Sequence, residues 1–337
     1  MDGACPVRAL VGPAGTGKTT RLKDMAVELV NTQDLGVCLI ARDARTASAW
    51  RTELFERVGA SDRLTVTTFH ALALSILRRG WRLLGHSEPP GLLSGPEQFG
   101  LVKALLDSPE ERDHWDRFGR ARALKGFANE LREFILRVQD ADESPDSLSE
   151  RARLARRDDL LEAARFFRRY LDVLDDRGMV DHANAICQAT TLLTPNDADD
   201  PNAATARLHL IDQLGQQASH LLVDDAHAAS LAMLNLTHRL ARRSASLTVA
   251  IDPEAPSYSF RGAATDPLDA FRRLFPEVEV ESLAQKLRAT PEVRAVRYLH
   301  AADELDGLVA DIATAHLASG VDLSEIAVIV RRLGQRS

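Results

Sequence analysis

The sequence predicts a parallel α/β fold interrupted by a helical insertion, and three observations carry that reading. An apolar run, Val7 to Val11, breaks into the glycine-rich GPAGTGKTT and then into a segment of helical period. Further short apolar runs alternate with amphipathic stretches, which is the pattern of βα units. Between residues 89 and 205 the strand-like runs stop and charged amphipathic helices replace them, before apolar runs resume at His220.

Taken in order, Val7 to Val11 is the first strand, and Leu22, Met25, Ala26, Leu29 and Val30 form the buried stripe of the helix after it. A second run, Val37 to Ala41, leads into a helical stretch through Trp50 and Phe55. A third, Leu64 to Val66, passes through TTFHALALSILRR into another helix. The loop chemistry of HSEPPGLLSGPE ends this part of the chain. Helices are then expected over Glu97 to Leu106, Ala121 to Val138 and Arg151 to Leu174, with no strand until about residue 208 and a second break at TPNDADDPN. Strands are expected again at His220 to Val223, Leu247 to Ile251 and Val278 to Leu283. Beyond them come a strand-like run, Val293 to Leu299, a helix from about Ala302 to Ala318, and the apolar run Ile326 to Val330. The order fits one α/β domain made of residues 1–88 and 206–282, an insertion at 89–205, and the start of a second βα domain at 283–337.

Composition narrows the class. The 337 residues are 45% hydrophobic and 27% charged, enough to bury sizeable cores and too apolar for general disorder. No run approaches the roughly 20 apolar residues of a membrane helix, and Met1 is followed by an acid, so neither membrane insertion nor export is expected. Three cysteines without a CxxC pair point to a reducing compartment, the cytoplasm, and away from a disulfide frame or zinc site. The net charge of −7 disfavours nucleic acid at first sight, but 89–205 holds 16 basic against 23 acidic residues and the remainder is balanced at 26 each. Even in that acidic stretch, Arg151 to Arg169 carries seven arginines against three acids, which reads either as a basic face for duplex DNA or as a salt-bridged solvated helix.

Gly12, Gly17, Lys18 and Thr19 satisfy G-x-x-x-x-G-K-[ST] in the strand-to-helix context the motif needs. The loop Gly12, Pro13, Ala14, Gly15, Thr16, Gly17, Lys18, Thr19 and Thr20 can wrap phosphate in backbone N–H groups. Lys18 can reach the β and γ phosphates of ATP, and Thr19 offers a hydroxyl to Mg²⁺. Such a site needs a carboxylate at the end of a neighbouring strand. HLLVDDAHA supplies Asp224 as the metal candidate and Asp225 as the residue that orients water, although DD after a strand is also ordinary helix-capping chemistry.

Six segments in order resemble motifs of the UvrD/Rep/PcrA family of superfamily 1 DNA helicases. GPAGTGKTT is similar to motif I, VTTFHALALSILRR to motif Ib, LLVDDAH to motif II, IDPEAPSYSFRGA to motif III, LAQKLRAT to motif IV, and IAVIVRRLGQRS to a segment of the second motor domain. The resemblance implies a RecA-like ATP-binding domain with a helical insertion, then the start of a second RecA-like domain. It implies an ATP-dependent DNA helicase that moves 3′ to 5′ on single-stranded DNA or at a single/double-strand junction. By position, Thr68, Phe69 and His70 fall on the DNA backbone, Tyr258 and Phe260 on bases, and Arg261 on phosphate or structure. Arg288 falls on the γ-phosphate. For Phe69, Tyr258 and Phe260 core packing is the alternative; for Arg288 it is helix capping.

Several positions depart from the family pattern. The stretch before the loop has no adenine-reading glutamine motif, the motif II glutamate is Asp225, and His227 stands in place of glutamine. The motif III glutamine that senses the γ-phosphate is Ala255, the motif IV tyrosine is Leu287, and Arg42 replaces a base-stacking phenylalanine. Arg42 can stack, bind phosphate or stand in solvent. These changes suit a weak motor, or a degenerate auxiliary subunit that holds ATP and DNA with little turnover beside a second motor/nuclease subunit, as in AdnAB-type helicase–nucleases. A phosphate-loop enzyme unrelated to DNA leaves SYSFRGA and TFHALA unexplained.

Overall fold

The computed structural model describes residues 5–112, 114–196, 198–255, 267–287 and 295–329. It divides into two compact units, Met1–Arg288 and Ala289–Ser337.

In the first unit, β1 (Val7–Val11) leads through the glycine loop to α1 (Lys18–Thr32). β2 (Val37–Ala41) is followed by α2 (Ala44–Val58), and β3 (Leu64–Thr68) by α3 (Phe69–Gly80). Then come β4 (Gly91–Leu92), α4 (Gly95–Asp107), α5 (Pro109–Arg112), α6 (Lys125–Asp140), α7 (Pro145–Leu154), α8 (Asp158–Asp176), β5 (Met179–Val180), α9 (His182–Leu192) and α10 (Pro201–Gln217). β6 (His220–Val223), α11 (Leu231–Ala241), β7 (Ser246–Ile251), α12 (Pro267–Leu274) and β8 (Glu279–Ser282) complete the unit.

Six strands form one sheet in the order β3-β2-β6-β7-β1-β8, with every described pair parallel. Parallel strands are joined by crossovers that cover both faces, so the central ones are apolar on both sides. Ala9, Ile40, Leu221, Val223, Val249 and Ile251 enter one core layer with α3, α9, α10 and α11. Leu10, Leu39, Leu222 and Ala250 enter the other, under α1 and α2. Registers such as Leu10↔Ala250 and Ile40↔Val223 bring the carboxyl ends of β1, β7, β6 and β2 to one edge. That edge is where ligands of parallel α/β folds bind.

The helical stretch has its own core, in which Leu101, Val102, Trp115, Ile135, Phe166, Phe167 and Tyr170 are buried together. Two of its details correct the sequence reading. The expected Arg151 to Leu174 helix is two helices, broken where Arg156 takes φ 52°, and the side chain of Arg157 bonds Asp159 in the first turn of α8. The expected strandless stretch contains β4 and β5, paired through Gly91↔Met179 and Leu92↔Val180. Two-residue strands carry no periodicity to read.

In the second unit, α13 (Ala301–Ala313) runs into one wider turn at Thr314–Ala318. Of the two apolar runs expected as strands, the described parts, 295–299 and 326–329, form none, because a strand needs a partner ladder and none is described beside them.

Candidate functional site

At the carboxyl edge, β1 turns at Gly12, whose N–H donates to Ile251 O (3.2 Å). A Cβ there would lie 2.3 Å from Leu283 O, so only glycine lets the loop pass the end of β8. Thr16 Oγ1 donates to Pro13 O (2.9 Å) and tightens the loop. Gly17 precedes α1 at φ 85°, a left-handed conformation, and Leu287 lies against it while its N–H donates to Gly15 O (2.9 Å). No acid occupies the first turn of α1, so its free N–H groups keep their positive end toward the loop. Lys18 is nearly buried; its Nζ donates to Gly12 O (2.5 Å) and Pro13 O (2.8 Å) and stands 3.8 Å from Asp252 Oδ2. Among the other loop residues Pro13 is half-buried, and Ala14 and Thr20 are exposed.

Asp224 follows β6 and is buried. Thr19 Oγ1 donates to its Oδ2 (2.8 Å), while its Oδ1 is buried with no hydrogen-bond partner. Burial, and then the neighbouring charge of Asp225, raise its pKa above the ordinary aspartate value. An unsatisfied buried carboxylate oxygen is costly. A hard divalent cation beside the Thr19 hydroxyl would satisfy it, so these residues fit Mg²⁺. Among the described residues no group of three or more His, Cys, Asp and Glu forms a metal site. Mg²⁺ bound through one or two carboxylates and phosphate oxygens needs none.

Asp225 adopts φ 49°, ψ 38°, a left-handed conformation that an aspartate tolerates better than most residues. Arg42 Nη1 stands 3.8 Å from its Oδ2 and His227 Nε2 stands 4.0 Å from its Oδ1. His227 Nδ1 accepts from the Asp252 N–H (3.2 Å), which assigns the ring proton to Nε2, facing Asp225. Burial holds the His227 pKa below the ordinary histidine value and so favours the neutral ring. Asp252 Oδ1 accepts from the N–H groups of Glu254 (3.0 Å) and Ala255 (3.1 Å) and so fixes the turn after β7. Ala255 brings only a methyl group to that turn.

The residues expected on DNA divide. Thr68 caps α3, its hydroxyl accepting from Ala71 N–H (3.2 Å). The side chain of Phe69 is buried in the core with Leu72 and Ile76, the core packing that stands as the alternative to contact with DNA. His70 is partly exposed, its ring edge-on to His182 at 5.3 Å. Tyr258, Phe260, Arg261 and Arg288 lie outside the described residues. The sequence motifs do not single out Asp252. Its signal is the one that marked Asp224: an aspartate directly after an apolar strand, here on β7, the neighbour of the loop strand.

A phosphate loop on an interior parallel strand, with a buried carboxylate on a nearby strand bonded to the loop threonine, defines a phosphate-loop nucleotide-binding α/β protein. The sequence model described as UvrD/REP helicase N-terminal domain matches residues 6–276. The chain belongs to that family. It is 25% identical over 294 residues to ATP-dependent DNA helicase Rep of Salmonella typhimurium, covering 86% of this chain and 40% of the relative. It is 26% identical over 297 residues to ATP-dependent DNA helicase PcrA of Leuconostoc citreum, covering 86% of this chain and 36% of the relative. To PcrA of Bacillus subtilis the figures are 24% over 310 residues, 88% and 37%. The chain thus spans well under half the length of these relatives. No described helix is long and apolar enough to cross a membrane.

Proposed function

We propose that this chain is the N-terminal motor part of an ATP-dependent DNA helicase or translocase that couples ATP binding and hydrolysis to movement on single-stranded DNA, 3′ to 5′ by resemblance. The observation that carries the reading is the Thr19–Asp224 contact beside an unpartnered buried Asp224 oxygen, in a chain of the UvrD/REP family.

In this reading Gly12 to Thr20 hold the triphosphate, and Lys18 exchanges its two loop carbonyls for phosphate oxygens. Thr19 and Asp224 would hold Mg²⁺, which would supply charge neutralisation for the transferred phosphoryl group. Asp225 accepts a hydrogen bond from the attacking water, with His227 beside its other oxygen. Thr68 and His70 lie at the end of β3, on the edge where the resemblance implies single-stranded DNA, and Phe69 supports them from the core. By the resemblance Arg288 would approach the γ-phosphate, and Tyr258, Phe260 and Arg261 would meet the strand. The test is ATP hydrolysis with and without single-stranded DNA. Lys18→Ala should abolish the stimulated rate, and equal rates in both proteins overturn the reading.

A second reading, a binding subunit with little turnover that braces a second motor/nuclease subunit, is favoured by two observations. Ala255 occupies the turn beside the loop without a side-chain donor, and Asp225 is one methylene shorter than the family's glutamate. A misplacement of about 1 Å can cost on the order of 100-fold in rate. Combining Ala255→Gln with Asp225→Glu should raise turnover if this reading holds; an unchanged rate counts against it.

A further inference from the structure

A row of charged and polar groups crosses four adjacent strand ends. Lys18 of the β1 loop faces Asp252 after β7. Asp252 donates its N–H to His227, His227 faces Asp225, and Asp225 faces Arg42 after β2. The inner members are largely buried, whereas the Arg42 side chain is 57% exposed. Arg42 also reaches Asp43 Oδ2 through Nε (3.3 Å), which leaves Nη1 and Nη2 for other acceptors. At 3.8 Å in an exposed setting, the Arg42–Asp225 pair is a weak, exchangeable contact. β3 is the next strand along the edge, ending at Thr68. A guanidinium is matched in shape and charge to a phosphodiester.

We propose that Arg42 is exchanged between two anions: the Asp225 carboxylate in the DNA-free protein, and a backbone phosphate when single-stranded DNA lies across the ends of β2 and β3. The inference rests on the motor reading above. Once the strand takes Arg42, Asp225 loses its nearest cation and keeps only the neutral Nε2–H of His227. The carboxylate is then free to accept a hydrogen bond from water at the nucleotide site. Because DNA and Asp225 compete for one guanidinium, removal of the Asp225 charge strengthens DNA binding only while Arg42 is present.

The experiment is a double-mutant cycle that needs no turnover. Anisotropy of a fluorescein-labelled oligodeoxythymidylate, without nucleotide, is measured for the wild type, Arg42→Ala, Asp225→Asn and the double variant across a salt series. Asp225→Asn should bind about threefold more tightly, the scale set by an exposed ion pair. Arg42→Ala should bind more weakly, with a log–log salt slope shallower by about 0.7, and the double variant should match Arg42→Ala. Arg42→Lys, which keeps the charge, should restore the slope. A tightening by Asp225→Asn that persists without Arg42, or an Arg42→Ala protein with unchanged affinity and slope, overturns the inference alone. A wild type without salt-dependent binding overturns the motor reading with it.

Discussion

Asp224 at the sheet edge and Glu111 in the helical insertion are both buried carboxylates, and the protein treats them in opposite ways. Glu111 accepts from Trp115 Nε1 (3.0 Å), from Arg165 through Nη1 (2.9 Å) and Nη2 (2.8 Å), and from Arg169 Nη1 (3.2 Å). Burial pushes its pKa up, but these donors prevail and hold it below the ordinary glutamate value. Asp224 has the Thr19 hydroxyl on one oxygen and nothing on the other, and its pKa is raised. A fully paired buried acid is satisfied within the fold and costly to remove, whereas an underpaired one costs stability and is explained by a ligand that completes it. The insertion accordingly reads as a scaffold and the edge as a site.

The largest effect is expected of Asp224→Asn. In the proposed role of Asp224 as the Mg²⁺ ligand, its loss should cut ATP turnover by about 100-fold or more and remove stabilisation by Mg-ATP. In the absence of nucleotide the same variant should melt at a higher temperature than wild type at neutral pH, since it no longer buries an underpaired charge. A lower melting temperature would contradict this account of Asp224.

Next in size is Glu111→Ala, which strands two arginines and the indole N–H and should cost about 3 kcal/mol in denaturant unfolding. Mg-nucleotide affinity should be unchanged. The two acids also predict opposite pH behaviour. The folded pKa of Glu111 is lowered, so its contribution is present above the unfolded value and lost as pH falls through the folded one; wild type and Glu111→Gln should converge in acid. The folded pKa of Asp224 is raised, so its penalty applies above that value and disappears as pH falls to the unfolded value; the advantage of Asp224→Asn should shrink in acid. Melting temperatures over a pH series check both signs.

The smallest effect is expected on the surface of the insertion. Arg168 pairs with Asp146, Arg151 with Glu143 and Arg157 with Asp159, all exposed on at least one side. Five of the seven arginines from Arg151 to Arg169 are paired with acids, which favours the salt-bridged helix over a basic DNA-binding face. Arg168→Ala should change stability by under about 1 kcal/mol. A larger loss would mean that these pairs act as a network.

Much of the α/β body is legible in the sequence because its signals are local. Val37 to Ala41, His220 to Val223 and Leu247 to Ile251 are short apolar runs between turns, and the loop motif fixes both its strand and its helix. The break at Arg156 is hidden because a single left-handed residue leaves the amphipathic pattern continuous on both sides. The cluster at Glu111 joins residues 54 and 58 positions apart, a separation no window of periodicity spans. Phe69 follows a strand on a loop-like TTFH, and only the packing of α3 on α9 shows that its ring faces inward.

The chemical groups are written in the amino acids: a phosphate loop, two acids after a strand, and an arginine where the family pattern has a phenylalanine. Which of these groups meet is set by the assembled sheet. The order β2-β6-β7-β1 aligns Arg42, Asp225, His227, Asp252 and Lys18 along one edge, although the chain visits those strands as first, second, sixth and seventh. Strand order is set by which faces bury together across long crossovers, and residues separated by some two hundred positions become neighbours only when the sheet assembles.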